Sequence, residues 1–349
     1  MKNILVAPLN WGLGHATRCI PIINALIENG FNPIIASDGI ALALLKKEFP
    51  NLVALELPSY KIEYAKKASN FKWKLIKNSP KTINAILLEK KIVKKWVNQY
   101  NLSGIISDNR LGVYHKKTPS VFITHQLTVL SGKTTWISSK IHHFFIRKFD
   151  ECWVPDVKDV PNLTGKLGHL SKTNLKIKYI GVLSRLEKQT LPIKNNLMII
   201  LSGPEPQRTL LEEKLILKLT NYKGKVVFVK GKVEPKQTKT ERKNITFYNF
   251  MQTKELEKTF NESEMVLCRS GYTTIMDLVK LEKKVFFIPT PGQFEQEYLA
   301  KKLKQQGLVP MAKQDKFKIE DLHAVPLYRG LPKIESETNF KELFSLFRE

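Results

Sequence analysis

The chain has 349 residues, with 57 Lys and Arg against 32 Asp and Glu, a net charge of +25, and 42% hydrophobic residues, enough length and apolar content for two cores. No apolar run approaches the ~18 residues of a membrane span and Met1 leads straight into a strand, which reads as a cytoplasmic protein; three scattered cysteines, Cys19, Cys152 and Cys268, argue against a disulfide framework and offer no metal-ligand spacing. The positive excess implies an anionic partner, whether nucleic acid, a membrane surface or a phosphorylated substrate.

The chain opens with "KNILVAPL", a short apolar run that reads as a buried strand. "NWGLGHATR" follows, a glycine turn with Gly12, Gly14 and His15. "RCIPIINALIENG" then sets Ile20, Ile23, Leu26 and Ile27 at helical spacing before Gly30. A glycine turn at a helix start admits close approach of a ligand and favours negative charge. It lacks the third glycine of a dinucleotide fingerprint and the Lys-Ser/Thr of a P-loop, and a structural turn with a capping histidine is the competing reading.

Strands are expected at "NPIIAS", "LVALEL", "SGIISD" ending at Asp108, "PSVFITHQ" ending near His125 and Gln126, and "ECWVPD", with "GIALALLKKEF" a helix. Between them lies a basic stretch, residues 61–95, with eleven lysines against two glutamates. Its residues Ile83, Ile86, Leu87, Val93, Trp96 and Val97 form a helical stripe, so the later lysines are expected on the wet side. Phe71 and Trp73 among the lysines suit an anionic lipid surface; a solvated lysine face is the alternative.

A second alternation begins at "NLMIILS" and continues with helix "RTLLEEKLILKLT", strands "KVVFVKG" and "ITFYNF", helix "TKELEKTFNES", strand "EMVLCRS", helix "YTTIMDLVKLE", strand "KVFFIPT" and helix "FEQEYLAKKLKQQ" before Gly307. Such alternation builds parallel sheets with helices on both faces. The expected fold class is α/β, two doubly wound Rossmann-like domains facing across a cleft, with ligands at the carboxyl ends of the strands. The expected boundaries are 1–165, a linker at 166–194, a second domain at 195–330, and a terminal helix at 331–349 packing back on the first domain.

His15 and Asp108, each just after a strand, can meet on one sheet edge. A carboxylate on one imidazole nitrogen leaves the other to take a proton, which makes a general base; a turn or cap role in "SDNR" is the alternative for Asp108. In the second half, Arg269, Ser270 and Gly271 occupy a strand-to-helix loop suited to a diphosphate, with Ser202, Gly203 and Arg208 from "SGPEPQR" offered to the same anion. Asp277, one or two turns into the helix, could hold a vicinal diol such as ribose. Loop arginines and capping serines are the structural alternatives.

The segment "RSGYTTIMDLVKLEKKVFFIPTPGQFEQEYLAKKL" is similar to the donor-binding segment of glycosyltransferase family 28, a family of GT-B fold, and the amino-terminal glycine loop and "ITHQL" resemble its first domain. The resemblance implies a UDP-sugar donor, with N-acetylglucosamine the first choice. It also implies His15 as base with Gly12, Gly14, His125 and Gln126 on the acceptor side, Asp277 on the ribose, Gln296 and Glu297 toward the donor sugar, and Tyr248 and Met251 near uracil. Asp277 stands where the family has glutamate, Glu297 replaces a glutamine, and "SGPEPQR" replaces a Gly-Gly-Ser-Gln-Gly run.

The implied reaction is inverting transfer to a lipid-linked or membrane glycan, with Arg269, Arg208 and a helix N-terminus stabilising the leaving diphosphate. No Asp-x-Asp motif is present, so neither a metal nor a cofactor is expected. Two rivals stand beside it. One is another GT-B enzyme, a nucleotide-sugar epimerase or glycoside phosphorylase, for which Glu205, Glu295 and Glu297 are the candidate carboxylates. The other is a nucleic-acid-binding protein prompted by charge, although no binding module is recognisable and no nucleic acid is expected.

Overall fold

The computed structural model describes residues 1–60, 71–203, 205–232, 234–334 and 338–348, with backbone alone for 71–80. Residues 1–60, 72–183 and 338–348 form one compact unit and residues 184–334 a second. Both sheets are doubly wound and α/β, as expected from the sequence.

In the first unit the strands are β1 (Asn3–Pro8), β2 (Asn32–Ser37), β3 (Ala54–Glu56), β4 (Leu102–Asp108), β5 (Ser120–Ile123), β6 (Glu151–Val154) and β7 (Ile177–Tyr179). They form one parallel sheet in the order β3-β2-β1-β4-β5-β6-β7. The helices are α1 (Gly14–Glu28), α2 (Gly39–Glu48), α3 (Phe71–Gln99) and α4 (Thr135–Ile146). The order reverses between β1 and β4, where Pro8 pairs with Asp108. The turn after β1 and the acid ending β4 are therefore side by side, at the kind of switch point where open α/β sheets bind ligands.

Two expectations need correction here. The segment read as a linker from residue 166 contains β7, which extends the first sheet; three residues with a lysine between Ile177 and Tyr179 carry too little alternation to announce a strand. The apolar stripe of α3 is also displaced. Ile83 and Leu87 are exposed, while Ala85, Glu89 and Val93 form the buried line. A carboxylate takes an inward position because Arg110, fully buried after β4, donates to Glu89 Oε1 at 2.6 Å and Tyr60 donates to Glu89 Oε2 at 2.7 Å. Of the expected membrane anchors, Lys66 and Lys67 lie outside the described residues, as do the side chains of Phe71, Lys72, Trp73 and Lys74.

In the second unit the strands are β8 (Asn195–Ile200), β9 (Val226–Val229), β10 (Lys239–Arg242), β11 (Ile245–Tyr248), β12 (Ser263–Cys268) and β13 (Lys284–Phe287). Their order is β10-β11-β9-β8-β12-β13, parallel except for β10, which pairs antiparallel with β11. The strand β10, "KTER", is wholly exposed, so it has no apolar signal and exists through its ladder to β11. The helices are α5 (Gln207–Lys218), α6 (Thr253–Asn261), α7 (Tyr272–Lys280) and α8 (Phe294–Gln305). Here the switch point lies between β8 and β12, where Ile200 pairs with Cys268.

The carboxyl-terminal residues belong to the first unit. The short helix α9 (Phe340–Leu343) and the turn after it seat Phe344, fully buried, with its ring 5.8 Å from Phe31, 5.5 Å from Phe340 and 6.3 Å from Trp153 of β6. Phe347 closes on Gly104 of β4, where a Cβ would meet its ring at 2.4 Å. Phe344→Ala should cost the first unit about 3–5 kcal/mol, a buried phenylalanine's worth of contacts and cavity. Denaturant unfolding of the full chain checks this: one transition should move to lower denaturant, and an unchanged midpoint would contradict the packing role.

Candidate active site

Asp108 ends a buried strand and has no exposed surface. A carboxylate so placed needs partners, and α1 supplies them from one face, because residues three apart on a helix are neighbours. His15 Nδ1 lies 2.8 Å from Asp108 Oδ1. Arg18, one turn further, grips the same carboxylate with two donors, Nε to Oδ2 at 2.5 Å and Nη2 to Oδ1. It also extends Nη1 to within 3.0 Å of His125 Nδ1 after β5. His15 is not a helix cap: the position before α1 is Leu13, and the ring faces the carboxylate.

Burial pushes the Asp108 carboxyl up, but Arg18 and His15 outweigh it and hold it well below the usual carboxylate range. Burial lowers the His15 imidazole, Asp108 raises it and Arg18 lowers it again, with a net shift below the ordinary value. The ring is therefore neutral at pH 7, the form a general base requires. Its Nδ1 faces two claims, since Arg18 Nη2 is also 2.8 Å away and can only donate. With the proton on Nδ1 the ring donates to Asp108 and its Nε2 lone pair can take a proton; with the proton on Nε2 the ring accepts from Arg18 and is no base.

Around this cluster the glycine turn does what its composition suggests. Gly12 has φ +75° with nothing within 4 Å of a Cβ position, and Leu9 N–H donates to Asp108 O at 2.9 Å. Gly14 opens α1, and its carbonyl accepts from Thr17 at 3.1 Å. Gln126 donates its N–H to Thr124 Oγ1 at 3.1 Å, next to the buried His125.

At the switch point of the second unit, three loops converge. After β8 come Ser202 and Gly203, the latter at φ +100° with only Thr290 Oγ1, at 4.0 Å, near a Cβ position. After β12 come Arg269, Ser270 and Gly271, leading into α7. After β13 comes the loop containing Thr290, which leads into α8. Gln296 of α8 ties two of them together: its Oε1 accepts from Thr290 N–H at 2.9 Å and its backbone carbonyl accepts from Ser270 Oγ at 2.8 Å, while its Nε2 would lie 3.8 Å from a Cβ on Gly271. Glu297 Oε1 accepts from Gly292 N–H at 2.9 Å. The Thr290 hydroxyl is buried with no hydrogen-bond partner.

The two arginines expected to face a diphosphate do not have that freedom. Arg269 is buried and gives its donors to the carbonyls of Ile288, Pro289 and Gln207 and to Gln314 Oε1, at 2.7–3.1 Å; burial lowers it to about 9. Arg208 is buried between Glu205 and Glu212, with Nη1 2.7 Å from Glu212 Oε2. Both brace loops, because a buried guanidinium must have its donors satisfied and the nearest acceptors are carbonyls and carboxylates. Asp277 accepts from Ser184 Oγ at 2.7 Å, and burial raises it to about 6 against the pull of that bond and of Arg185. Tyr248 ends β11 beside a hollow of about 180 Å³ lined also by Lys230 and Asn249, and Met251 is buried nearby in sequence.

Sequence reasoning passed over Arg18 and Thr290. Arg18 lay three residues after His15, a spacing that shares a helix face. Thr290 carried no signal beyond its place after an apolar strand. Among the described residues no group of three or more His, Cys, Asp or Glu could hold a metal ion.

Residues 205–342 match the family model of the glycosyltransferase family 28 C-terminal domain. Among solved structures the chain is similar to MurG of Acinetobacter baumannii at 12% identity and TM-score 0.55, covering 100% of this chain and 99% of that one. It is similar to the spinosyn rhamnosyltransferase SpnG at 13% and 0.60, covering 100% and 95%. It is also similar to Arabidopsis thaliana UGT89C1, solved with UDP-L-rhamnose, at 11% and 0.61, covering 99% and 98%. At these identities the likeness shows the GT-B fold. No curated protein matches the chain.

Two outcomes test the first-unit cluster. Arg18→Met leaves the Asp108 charge buried without its main partner and should cost about 3–5 kcal/mol of stability in denaturant unfolding; a loss below 1 kcal/mol would contradict the pairing. Because the folded pKa values of Asp108 and His15 are both depressed, the stability they contribute is present at neutral pH. It is lost as pH falls, first below the unfolded imidazole value near 6.5 and further below the unfolded carboxylate value near 4. Asp108→Asn should flatten the carboxylate part of that decline.

Proposed function

We propose, for a chain that is a GT-B glycosyltransferase resembling family 28, that it transfers a hexose with inversion from a UDP-sugar, N-acetylglucosamine first, to a lipid-linked or membrane glycan at the cytoplasmic face. The observation that carries the reading is the neutral His15 imidazole set against Asp108 at the first switch point. In the proposed step His15 Nε2 takes the proton of an acceptor hydroxyl as its oxygen attacks the anomeric carbon. The bond from that carbon to the diphosphate oxygen breaks, UDP leaves with the electron pair, and the configuration inverts.

The leaving diphosphate is assigned to the converged loops of the second unit rather than to the arginines. Gly203 and Gly271 leave room for phosphate oxygens, the free Thr290 hydroxyl can donate to one, and the α7 N-terminus supplies backbone N–H groups and a favourable dipole. Asp277 is assigned to the ribose hydroxyls, and the hollow beside Tyr248 to the base side of the nucleotide. No metal or other cofactor has a part in this scheme, and the UDP-sugar is a substrate.

His15→Gln should lower transfer about 10²- to 10⁴-fold with donor affinity nearly unchanged, measured with radiolabelled UDP-N-acetylglucosamine and extracted membrane lipids. Full turnover in that variant overturns the base assignment, and isomerised sugar without acceptor would favour the epimerase. In wild type the acidic limb of the rate should fall at a pH below the ordinary imidazole value, since the protonated ring cannot act. Thr290→Val should weaken donor binding by about 0.5–1.5 kcal/mol in calorimetry.

Asp277 gives a third, independent readout. UDP-N-acetylglucosamine has a diphosphate diester with no proton to take up near neutrality, so its affinity should drop as pH falls through about 6 and Asp277 becomes protonated. Asp277→Asn should remove that dependence; a pH-independent wild type would rule out the ribose role.

A further inference from the structure

The second unit begins at Ser184, and residues 184–189 run as a strap along α6 before the chain reaches β8. The strap is fixed mainly through its backbone. Glu187 N–H donates to Glu257 Oε2 at 2.7 Å and Gln189 N–H to Asn261 Oδ1 at 2.9 Å, while Asn261 Nδ2 donates to Glu187 O at 3.0 Å. Leu186 is fully buried, and Arg185 Nη1 donates to Thr253 Oγ1 at 2.8 Å. These hydrogen bonds all go to α6, so the strap keeps its place without help from Asp277 of α7.

From that fixed place Ser184 reaches α7. Its Oγ accepts the Leu186 N–H at 3.0 Å, which leaves the hydroxyl proton for donation, and Asp277 Oδ1 receives it at 2.7 Å. The other acceptor in reach, Leu186 O, is further away at 3.4 Å. Asp277 Oδ2 accepts no hydrogen bond from the described residues. The last torsion of an aspartate is soft, with a broad and roughly two-fold preference. Holding one oxygen on a fixed hydroxyl removes that freedom and gives the other oxygen a set direction.

Among the charged groups of the strap and of α7, Arg185 is the one whose field acts on the Asp277 carboxyl, in the same sense as the Ser184 bond and against burial. Lys280 of α7 and Lys188 of the strap are spent on glutamates, Glu187 at 3.2 Å and Glu282 at 2.6 Å. Lys283, after α7, donates to the carbonyls of Asn261 and Ser263 at 3.1 and 3.0 Å.

We propose that Ser184 is a positioning residue for the donor: it holds Asp277 by Oδ1, so that Oδ2 alone receives the vicinal ribose hydroxyls, and the site thereby selects ribonucleotides over 2′-deoxyribonucleotides. The inference rests on the assignment of Asp277 to the ribose in the proposed function, and adds which oxygen is used, what aims it and what it selects. A carboxylate with both oxygens free could clasp a vicinal diol with one hydroxyl on each. With one oxygen spent inside the protein, the remaining one has two lone pairs for two donors. Removing the 2′-hydroxyl leaves part of that acceptor unpaired, and a site built to bond a hydroxyl discriminates against the analogue without it.

Calorimetry of the full chain with UDP and 2′-deoxy-UDP, at one pH near neutrality, reads the selection. Wild type should bind UDP about tenfold or more tightly than 2′-deoxy-UDP, a comparison that needs no variant. Ser184→Ala should weaken UDP about three- to tenfold and lose most of the preference, while Ser184→Thr, which keeps the hydroxyl, should restore it. The pH profile of UDP-N-acetylglucosamine binding gives the second readout. The Ser184 bond favours the charged carboxylate, so without it the loss of affinity on acidification should begin at a higher pH than the wild-type value of about 6. A serine that merely supported the fold would weaken both nucleotides alike and leave the pH profile in place, and that outcome overturns the inference. So does a wild type that binds the two nucleotides equally. If Asp277→Asn removes the pH dependence but Ser184→Ala leaves both profile and preference unmoved, the ribose assignment stands and the role of Ser184 falls. A wild type that binds neither nucleotide overturns the donor reading and this inference with it.

Discussion

A carboxylate at the end of an interior strand is the constraint around which the first unit is arranged. Asp108 sits where β4 meets β1, at the one place in the sheet where the strand order turns back. A bare charge there would be prohibitively costly, so the helix that follows β1 must bring a guanidinium, and Arg18 does so from its second turn. The register of α1 then follows. With Arg18 held on Asp108, His15 one turn earlier is necessarily on the same carboxylate, and the glycine turn must be open enough to let the helix start at that point. The neutrality of His15 comes first from its burial, and Arg18 adds to it by offsetting part of the Asp108 charge that would otherwise raise the imidazole.

Buried arginines recur as braces throughout the chain. Arg110 joins the loop after β4 to Glu89 of α3 and to Asp38 before α2; Arg269 gathers three backbone carbonyls at the second switch point; Arg208 lies between two glutamates. Each satisfies a planar set of donors with acceptors fixed by strands or helix ends, which is what guanidinium geometry suits. One consequence reaches the surface. By taking Glu89 and Asp108 inside, the arginines bury both carboxylates that the sequence holds between residues 71 and 149, and the outer field of that stretch is correspondingly positive.

The switch point of the second unit is built differently. Arg208 and Arg269 are committed to their loops, and among the described residues the switch point offers Gly203 and Gly271, which leave room, and the Thr290 hydroxyl, buried without a partner. In the proposed reading an anion there is held through orientation and helix dipoles rather than through mobile cations. Gln296 and Ser270 belong to its support, holding the loop after β13 and the start of α8 against the loop after β12.

The alternation of apolar runs with amphipathic segments was enough for the fold class, because parallel sheets covered on both faces demand nearly continuous apolar strands. It missed β7 and β10, whose few residues bury little and whose existence depends on the neighbouring strand. The pairing of His15 with Asp108 was legible from their places after two strands. Only the tertiary structure decided which charges are spent inside. Arg18, Arg208, Arg269 and Glu89 are indistinguishable in sequence from solvated or ligand-facing groups, since burial of an ion is settled by partners from distant elements. For the same reason local spacing put Ile83 and Leu87 in the core, whereas the demand of Arg110 for a carboxylate turned α3 so that Glu89 faces inward and those two side chains face out.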